Sequence, residues 1–290
     1  GSTLLILTIC FGFFMAWGVG ANDVANAMGT SVGAKAITIK QAILIAMVFE
    51  FAGAYLAGGE VTSTIRKGII DPELLSDEPE LLVYGMMSAL LAAGIWLFIA
   101  TTYGWPVSTT HSIVGAIVGF ASVGISIDAV NWMKVGNIAA SWVVSPVLAG
   151  TVAFFLYMSV RRFVFDTADP FSSAKRVIPF YIFMVGFVIS MVTMVKGLKH
   201  VGLDLTFQQS ILYSTVFAGL VCLIGVLALT RIKRVVASSS HDNVNIERMF
   251  GVLMLFTACA MAFAHGSNDV ANAIGPLAAV NSIIESGGDV

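Results

Sequence analysis

Charge is what this 290-residue chain has least of: Lys, Arg, Asp and Glu together make up 11% of it, against roughly 25% in an ordinary soluble domain. That shortage excludes a soluble globular enzyme, a disordered chain and a nucleic-acid-binding module. A formal net charge of -2 points to no polyanionic partner. Cysteine is scarce as well. Cys10, Cys222 and Cys259 all lie inside apolar runs, so no disulfide framework is expected, and no Cys/His group has metal-site spacing. No basic stretch precedes the first apolar run, which argues against a cleaved secretory signal. What is abundant is apolar: 58% hydrophobic residues, with 20 Phe and 13 Met, and a mean hydropathy of +0.91. Such a chain reads as an all-α integral membrane protein, since a helix pairs its own backbone groups where no water can.

Windows free of charge mark the spans, because a crossing takes about 20 mostly apolar residues. They are 1–22, 135–160, 177–195, 205–230 and 249–268, with 41–59 interrupted only by Glu50. The longest window, 81–127, holds 47 residues without Asp, Glu, Lys or Arg. As one helix it would run about 70 Å, more than twice the roughly 30 Å hydrocarbon core. It must fold back, and Gly104-Trp105-Pro106 supplies the break, because Pro106 has no N–H with which to continue a helix. Eight of the 15 basic residues fall in two loops: Arg161, Arg162, Lys175 and Arg176 in 161–176, and Arg231, Lys233, Arg234 and Arg248 in 231–248. Two spans separate the loops, so they share a side, which the positive-inside rule makes the cytoplasm. The acidic 59–80 stretch (Glu60, Asp71, Glu73, Asp77, Glu78 and Glu80 against Arg66 and Lys67) and the N-terminus then lie outside.

An internal repeat organises the chain. Gly20-Ala21-Asn22-Asp23-Val24-Ala25-Asn26-Ala27 recurs as Gly266-Ser267-Asn268-Asp269-Val270-Ala271-Asn272-Ala273, identical at seven of eight positions. The predicted topology runs the two copies in opposite directions. Inverted repeats with broken helices that meet at the midplane are an architecture of secondary transporters. The expected organisation is a first inverted repeat over 1–160 with a re-entrant helical hairpin near 81–127. Connecting helices with basic cytoplasmic loops follow over 161–248, and a second repeat begins at 249–290.

Each motif copy sets an ionisable Asp among amides and small residues. A charge at mid-membrane costs about 2.5–3.5 kcal/mol, so it is seldom there without a role. Asn-Asp also favours local turns over helix. The expectation is an unwound helix whose carbonyls, amide oxygens and carboxylate form an all-oxygen cluster for a hard cation. The candidate sodium ligands are Asn22, Asp23, Asn26, Asn268, Asp269 and Asn272. The plainer alternative is that Asp23 and Asp269 cap helices at the membrane surface. After the proline break, Ser108, Thr109 and Thr110 open a returning half-helix, whose free N–H groups and positive end suit an anion. Alternatively they only cap it. Gly115 and Gly119 read as close helix packing.

No Lys or Arg lies in either motif or in the hydroxyl turn. An anion there must be balanced by helix dipoles and co-bound cations, which predicts cation-coupled symport. It argues against an anion channel with rings of basic residues. Glu50 sits mid-span and could be a cation or proton coupling site, or a structural partner for a buried hydroxyl or basic group. His111 and His265 adjoin the motifs and could titrate or merely hydrogen-bond. His200 and His241 fall in polar loops.

On these residues the chain resembles the inorganic phosphate transporter (PiT) family, in its sodium/phosphate symporter branch. The resemblance rests on 20–27 with Gly29-Thr30-Ser31, on 266–273, on Pro106-Val107-Ser108-Thr109-Thr110-His111, and on the Glu50 segment leading to Thr64-Ile65-Arg66-Lys67-Gly68. It implies a cell-membrane symporter of inorganic phosphate driven by sodium, with protons as the alternative coupling ion, no organic cofactor, and a homodimer. It implies phosphate binding by Ser108, Thr109 and Thr110 with Asp23, Asn26, Asp269 and Asn272. Asp23 precedes Pro106 by 83 residues, so a second hydroxyl turn is expected near position 352, and the 290-residue stretch, with one hairpin, is not expected to transport by itself. A sulfate permease on the same scaffold is the nearest rival, since tetrahedral oxyanions share size and geometry. An intramembrane aspartyl protease is a distant one, because the second Asp lies in Gly266-Ser267-Asn268-Asp269 rather than Gly-x-Gly-Asp.

Overall fold

The computed structural model describes residues 2–59, 68–70, 77–196, 204–233 and 239–286. Glu60, Thr64, Ile65, Arg66, Lys67, Asp71, Glu73, His200 and Arg234 lie outside the described residues, as does the side chain of His241. The helices are α1 (Ser2–Gly33), α2 (Ile39–Ala57), α3 (Pro79–Thr102), α4 (Thr109–Gly124), α5 (Trp132–Val160), α6 (Pro170–Lys196), α7 (Phe207–Thr230), α8 (Ser239–Asp269) and α9 (Ala271–Glu285). Seven helical segments are long and apolar enough to cross a membrane, whereas α4, at 16 residues, is not. Large apolar side chains such as Phe13, Phe51, Phe155 and Phe180 face outward along them, as lipid contact requires.

Helix ends follow from local sequence. Thr38 and Gln41 form reciprocal side chain–backbone bonds of 3.0 and 3.2 Å before α2, and Thr206 and Gln209 do the same before α7. Each pair satisfies two donors that the first helical turn leaves free. At the far end of α1, Lys35 takes φ +63°, and the Lys35 and Ala36 N–H groups bond the carbonyls of Val32 and Ser31. This is the two-bond left-handed cap usually given to glycine.

The chain divides into two compact units. The first comprises 1–27, 50–140 and 265–290. Its core joins Met15 and Val19 of α1, Leu90 and Leu97 of α3, Ile113 and Ile117 of α4, and Val280 and Ile283 of α9. Apolar burial drives little association in lipid, where close packing over small residues does the work. A Cβ on Gly18 would lie 2.9 Å from Leu97, and one on Gly94 2.6 Å from Phe14. Gly85, early in α3, is covered by the ring of Phe120, late in α4, so the two helices run antiparallel. Beyond their free ends Ile70 bridges Val130, and the Asn131 N–H donates to the Ile69 carbonyl at 2.9 Å. The hairpin is therefore entered and left at one end. The second unit, 28–49 and 141–264, packs α6 on α7, with Ile178, Ile182, Leu229 and Met249 in its core.

The fold-back at 103–108 and the all-helical class agree with the sequence reading. Four details differ. The first motif copy does not unwind: α1 runs unbroken through 20–27 to Gly33. Ala21, Ala25 and Ala27 favour helix, and Asn22 and Asp23 find partners on the hairpin instead of competing for their own backbone. In the second copy the helix is interrupted only at Val270, between α8 and α9. Pro276, which stands where the first copy has Thr30, lies inside α9 and removes the N–H that would bond the Asn272 carbonyl. Gly115 and Gly119 meet nothing within 4 Å, because Gly115 lines an open groove with Ala92, Trp96 and His111. The two basic loops are shorter than read. Helical structure continues to Phe165 and resumes at Pro170, so Lys175 and Arg176 lie on α6 and Arg248 lies on α8.

Candidate functional site

The site grows from the proline turn. Between Thr102 and Thr109 the chain must reverse without helix hydrogen bonds. Gly104 accepts φ +71°, and the Trp105 N–H returns to the Ala100 carbonyl at 2.7 Å. Buried Asn22 of α1 fastens the rest. Its Nδ2 donates to the Trp105 carbonyl at 3.0 Å and to Thr101 Oγ1 at 3.2 Å, and its Oδ1 accepts the Val107 N–H at 3.2 Å.

The next residue along α1 meets the start of α4. Buried Thr109 donates its hydroxyl to Asp23 Oδ2 at 2.8 Å, and Asp269 Oδ2 lies 3.3 Å from the same oxygen. Asn272, also buried, donates from Nδ2 to Thr109 Oγ1 at 2.9 Å and to Thr110 Oγ1 at 3.2 Å. Both motif copies thus converge on the first two residues of one half-helix.

A histidine joins the carboxylates. His265 stands four residues before Asp269 on α8, one helical turn away, and its Nε2 lies 3.0 Å from Asp269 Oδ2 and 3.3 Å from Asp23 Oδ2. Its Nδ1 lies 2.6 Å from Glu50 Oε1 of α2. Ligand atoms of Asp23, His265 and Asp269 fall within 4.8 Å of one another, close enough to surround one cation. Among the described residues no Lys or Arg reaches the cluster. Three carboxyl groups from α1, α2 and α8 thus gather around one imidazole. A cavity of about 180 Å³ adjoins it, lined by Val19, Gly20, Glu50, His265, Gly266 and Asp269 among others.

Of the residues singled out in the sequence, the structure brings together Asp23, Glu50, Thr109, Thr110, Asp269 and Asn272. It does not bring in Asn26 or Asn268. Both are exposed, and neither makes a side-chain hydrogen bond to another described residue. The two repeats are used unequally: Asn22 and Asn272 are engaged, while their counterparts Asn268 and Asn26 are open. Asn22 holds the turn, and Glu50 has the basic partner that one of its two readings required. His265, left undecided by the sequence, is the hub. A signal existed, because the first copy has Val19 at the matching position, so this histidine breaks an otherwise close repeat inside an apolar span.

Ser108 separates from its neighbours. Its Oγ accepts the His111 N–H at 3.1 Å as the N-cap of α4, and it lines the groove shared with Trp96 and His111 rather than the carboxylate cluster. Ser108→Ala should therefore cost about 1 kcal/mol of stability, the usual worth of a cap. Thr109→Val should cost more, because it removes the buried hydroxyl shared by Asp23, Asp269 and Asn272. Thermal unfolding of the two variants checks the contrast.

The chain is similar to known proteins over nearly its whole length. The sequence profile of the phosphate transporter family matches residues 19–290. Over 294 residues the chain is 52% identical to a Haemophilus influenzae protein that bears the provisional name phosphate permease, covering 100% of this chain and 69% of that one. It is 41% identical over 297 residues to "Inorganic phosphate transporter 2-1, chloroplastic" of Arabidopsis thaliana, covering 97% of this chain and 51% of that protein. A solved structure, "The sodium-dependent phosphate transporter", matches with a TM-score of 0.88 and 42% identity, over 98% of this chain and 69% of that one.

Proposed function

Because the chain belongs to the phosphate transporter family, we propose that it works as a sodium-coupled symporter of inorganic phosphate through the Asp23–Thr109–Asp269 cluster. The observation that carries this reading is the Thr109 hydroxyl lying within 2.8 and 3.3 Å of carboxylates from the two motif copies. A phosphate approaching the N-terminus of α4 finds free N–H groups, a positive dipole end and the hydroxyls of Thr109 and Thr110. It also finds the carboxyl groups of Asp23 and Asp269 beside them, which repel an anion when ionised. Binding therefore requires cations first: sodium held by the carboxylates of Asp23 and Asp269 and the Thr109 hydroxyl turns a repelling site into an attracting one. Oxygen donors of this kind suit a hard monovalent cation. The sodium dependence in the name of the structurally similar transporter supports the same ion.

The membrane arrangement goes with it. With the hairpin entered and left outside, α1 runs inward and α8 outward, so the motif copies are inverted. Basic residues at 161–176 and 231–248, joined by Lys35 after α1 and Lys40 at the start of α2, then face the cytoplasm of a cell membrane. The acidic approach to α3 faces outside. A homodimer belongs to the same reading.

The test is uptake of radiolabelled phosphate by the full-length protein in proteoliposomes, under an inward sodium gradient or an inward proton gradient, with excess unlabelled sulfate. Uptake that needs sodium and ignores sulfate is expected. Uptake driven by protons alone would overturn the coupling ion, and sulfate transport without phosphate transport would overturn the substrate.

A further inference from the structure

Two successive residues of α1 hold the hairpin, and they do different things. Asp23 meets the Thr109 side chain, whereas Asn22 meets the backbone that delivers it. Pro106 interrupts the turn so that the Trp105 carbonyl and the Val107 N–H, on either side of it, have no partner within the hairpin itself. Asn22 pairs with both through one carboxamide, donating to the first at 3.0 Å and accepting from the second at 3.2 Å. It copies the way a strand residue would pair with residues i and i+2 of a neighbour. Its second N–H reaches Thr101 Oγ1 at 3.2 Å, on the last turn of α3. Both limbs of the turn are thereby tied to one buried side chain.

We propose that Asn22 is a positioning residue for the anion site: it clamps the proline turn and fixes where the N-terminus of α4 stands relative to Asp23 and Asp269, rather than serving as a cation ligand. Few other side chains could do this. Asp lacks the donors that the Trp105 carbonyl and Thr101 receive, Ser and Thr do not span both backbone groups, and Leu of similar size would leave both unpaired in a buried place. The repeat points the same way. Asn268 holds the matching place in the second copy, yet its side chain is exposed and has no hydrogen-bond partner among the described residues. Identical sequence thus gives different roles because the first copy reaches the backbone of the turn through Asn22, while the second meets the hairpin at Thr109 and Thr110 through Asp269 and Asn272.

The consequence for uptake rests on the function proposed above, but the clamp can be read without transport. The experiment is hydrogen–deuterium exchange over 101–110 in the full-length protein in sodium-free buffer, paired with uptake kinetics. In Asn22→Ala the Val107 amide should exchange at least about tenfold faster than in the wild type, as loss of one buried hydrogen bond allows. In Asn268→Ala it should not change. The phosphate KM of Asn22→Ala should rise by about tenfold, with the sodium half-saturation at saturating phosphate unmoved. If that variant does not fold, Asn22→Asp serves. It keeps the acceptor for Val107, so exchange there stays near the wild type. It loses both donors, so the phosphate KM should still rise. Unchanged exchange at 101–110 in Asn22→Ala overturns the clamp. So does a raised sodium half-saturation at constant phosphate KM in either variant, which is the signature of an ion ligand. Should the wild-type protein move no phosphate, the exchange arm still decides the clamp, while the proposed function alone falls.

Discussion

Asp23→Asn and Asp269→Asn should each reduce phosphate uptake by roughly 100-fold or more, which corresponds to about 2.7 kcal/mol and lies within the range for a lost charge-assisted hydrogen bond. Asn keeps the shape of Asp and an oxygen near Thr109, so the helices should assemble as before. What disappears is one of the two charges that draw cations to the start of α4. Because the carboxylates approach one hydroxyl from separate motif copies, neither can replace the other. Uptake normalised to protein in the membrane checks this, with thermal unfolding to confirm that both variants fold. A variant that loses only one copy's contribution and retains half its rate would show that the two motifs act as independent sites.

Gly266→Ala should be as damaging for a different reason. A Cβ at this position would overlap the Glu50 carbonyl oxygen and lie 2.7 Å from the carbonyl carbon and Cα of Glu50. The obstacle is backbone, so no side-chain rotation relieves it. Helices α2 and α8 must move apart immediately after His265, the residue that reaches Glu50. The expected cost is about 1–3 kcal/mol of stability, as for other overpacked positions, together with loss of the 2.6 Å Glu50–His265 contact and of most uptake. The same change at Gly20, the matching residue of the first copy, meets nothing within 4 Å and should lower the unfolding temperature far less. Equal destabilisation of the two variants would contradict the packing account.

Hydropathy and repetition made much of this visible in advance. The hairpin was legible because 47 uncharged residues cannot cross a bilayer once, and Pro106 marks where they turn. The pairing of Asp23 with Asp269 was legible because a duplicated intramembrane carboxylate demands a partner. The helix breaks were not. Asn-Asp favours turns only when its side chains have nothing better to bond, and here the hairpin supplies Thr101, Trp105, Val107 and Thr109 from about 80 residues away. Long-range partners of that kind leave no local trace. The same gap explains Ser108, whose hydroxyl resembles its neighbours in sequence but caps the helix in space. It also explains Asn26 and Asn268, which repeat engaged residues without being engaged. His265 could have been read from the position immediately before the motif, where the first copy has the apolar Val19.

If the anion is held only through cations bound at Asp23 and Asp269, equilibrium phosphate binding must depend on sodium. Purified full-length protein would be titrated with radiolabelled phosphate in sodium chloride and in choline chloride at equal ionic strength. Saturable binding in sodium that vanishes in choline, and that is lost in Asp23→Asn even in sodium, is the predicted result. Phosphate binding of equal affinity in choline would contradict it, because hydroxyls and a helix end would then suffice beside the Asp23 and Asp269 carboxyl groups.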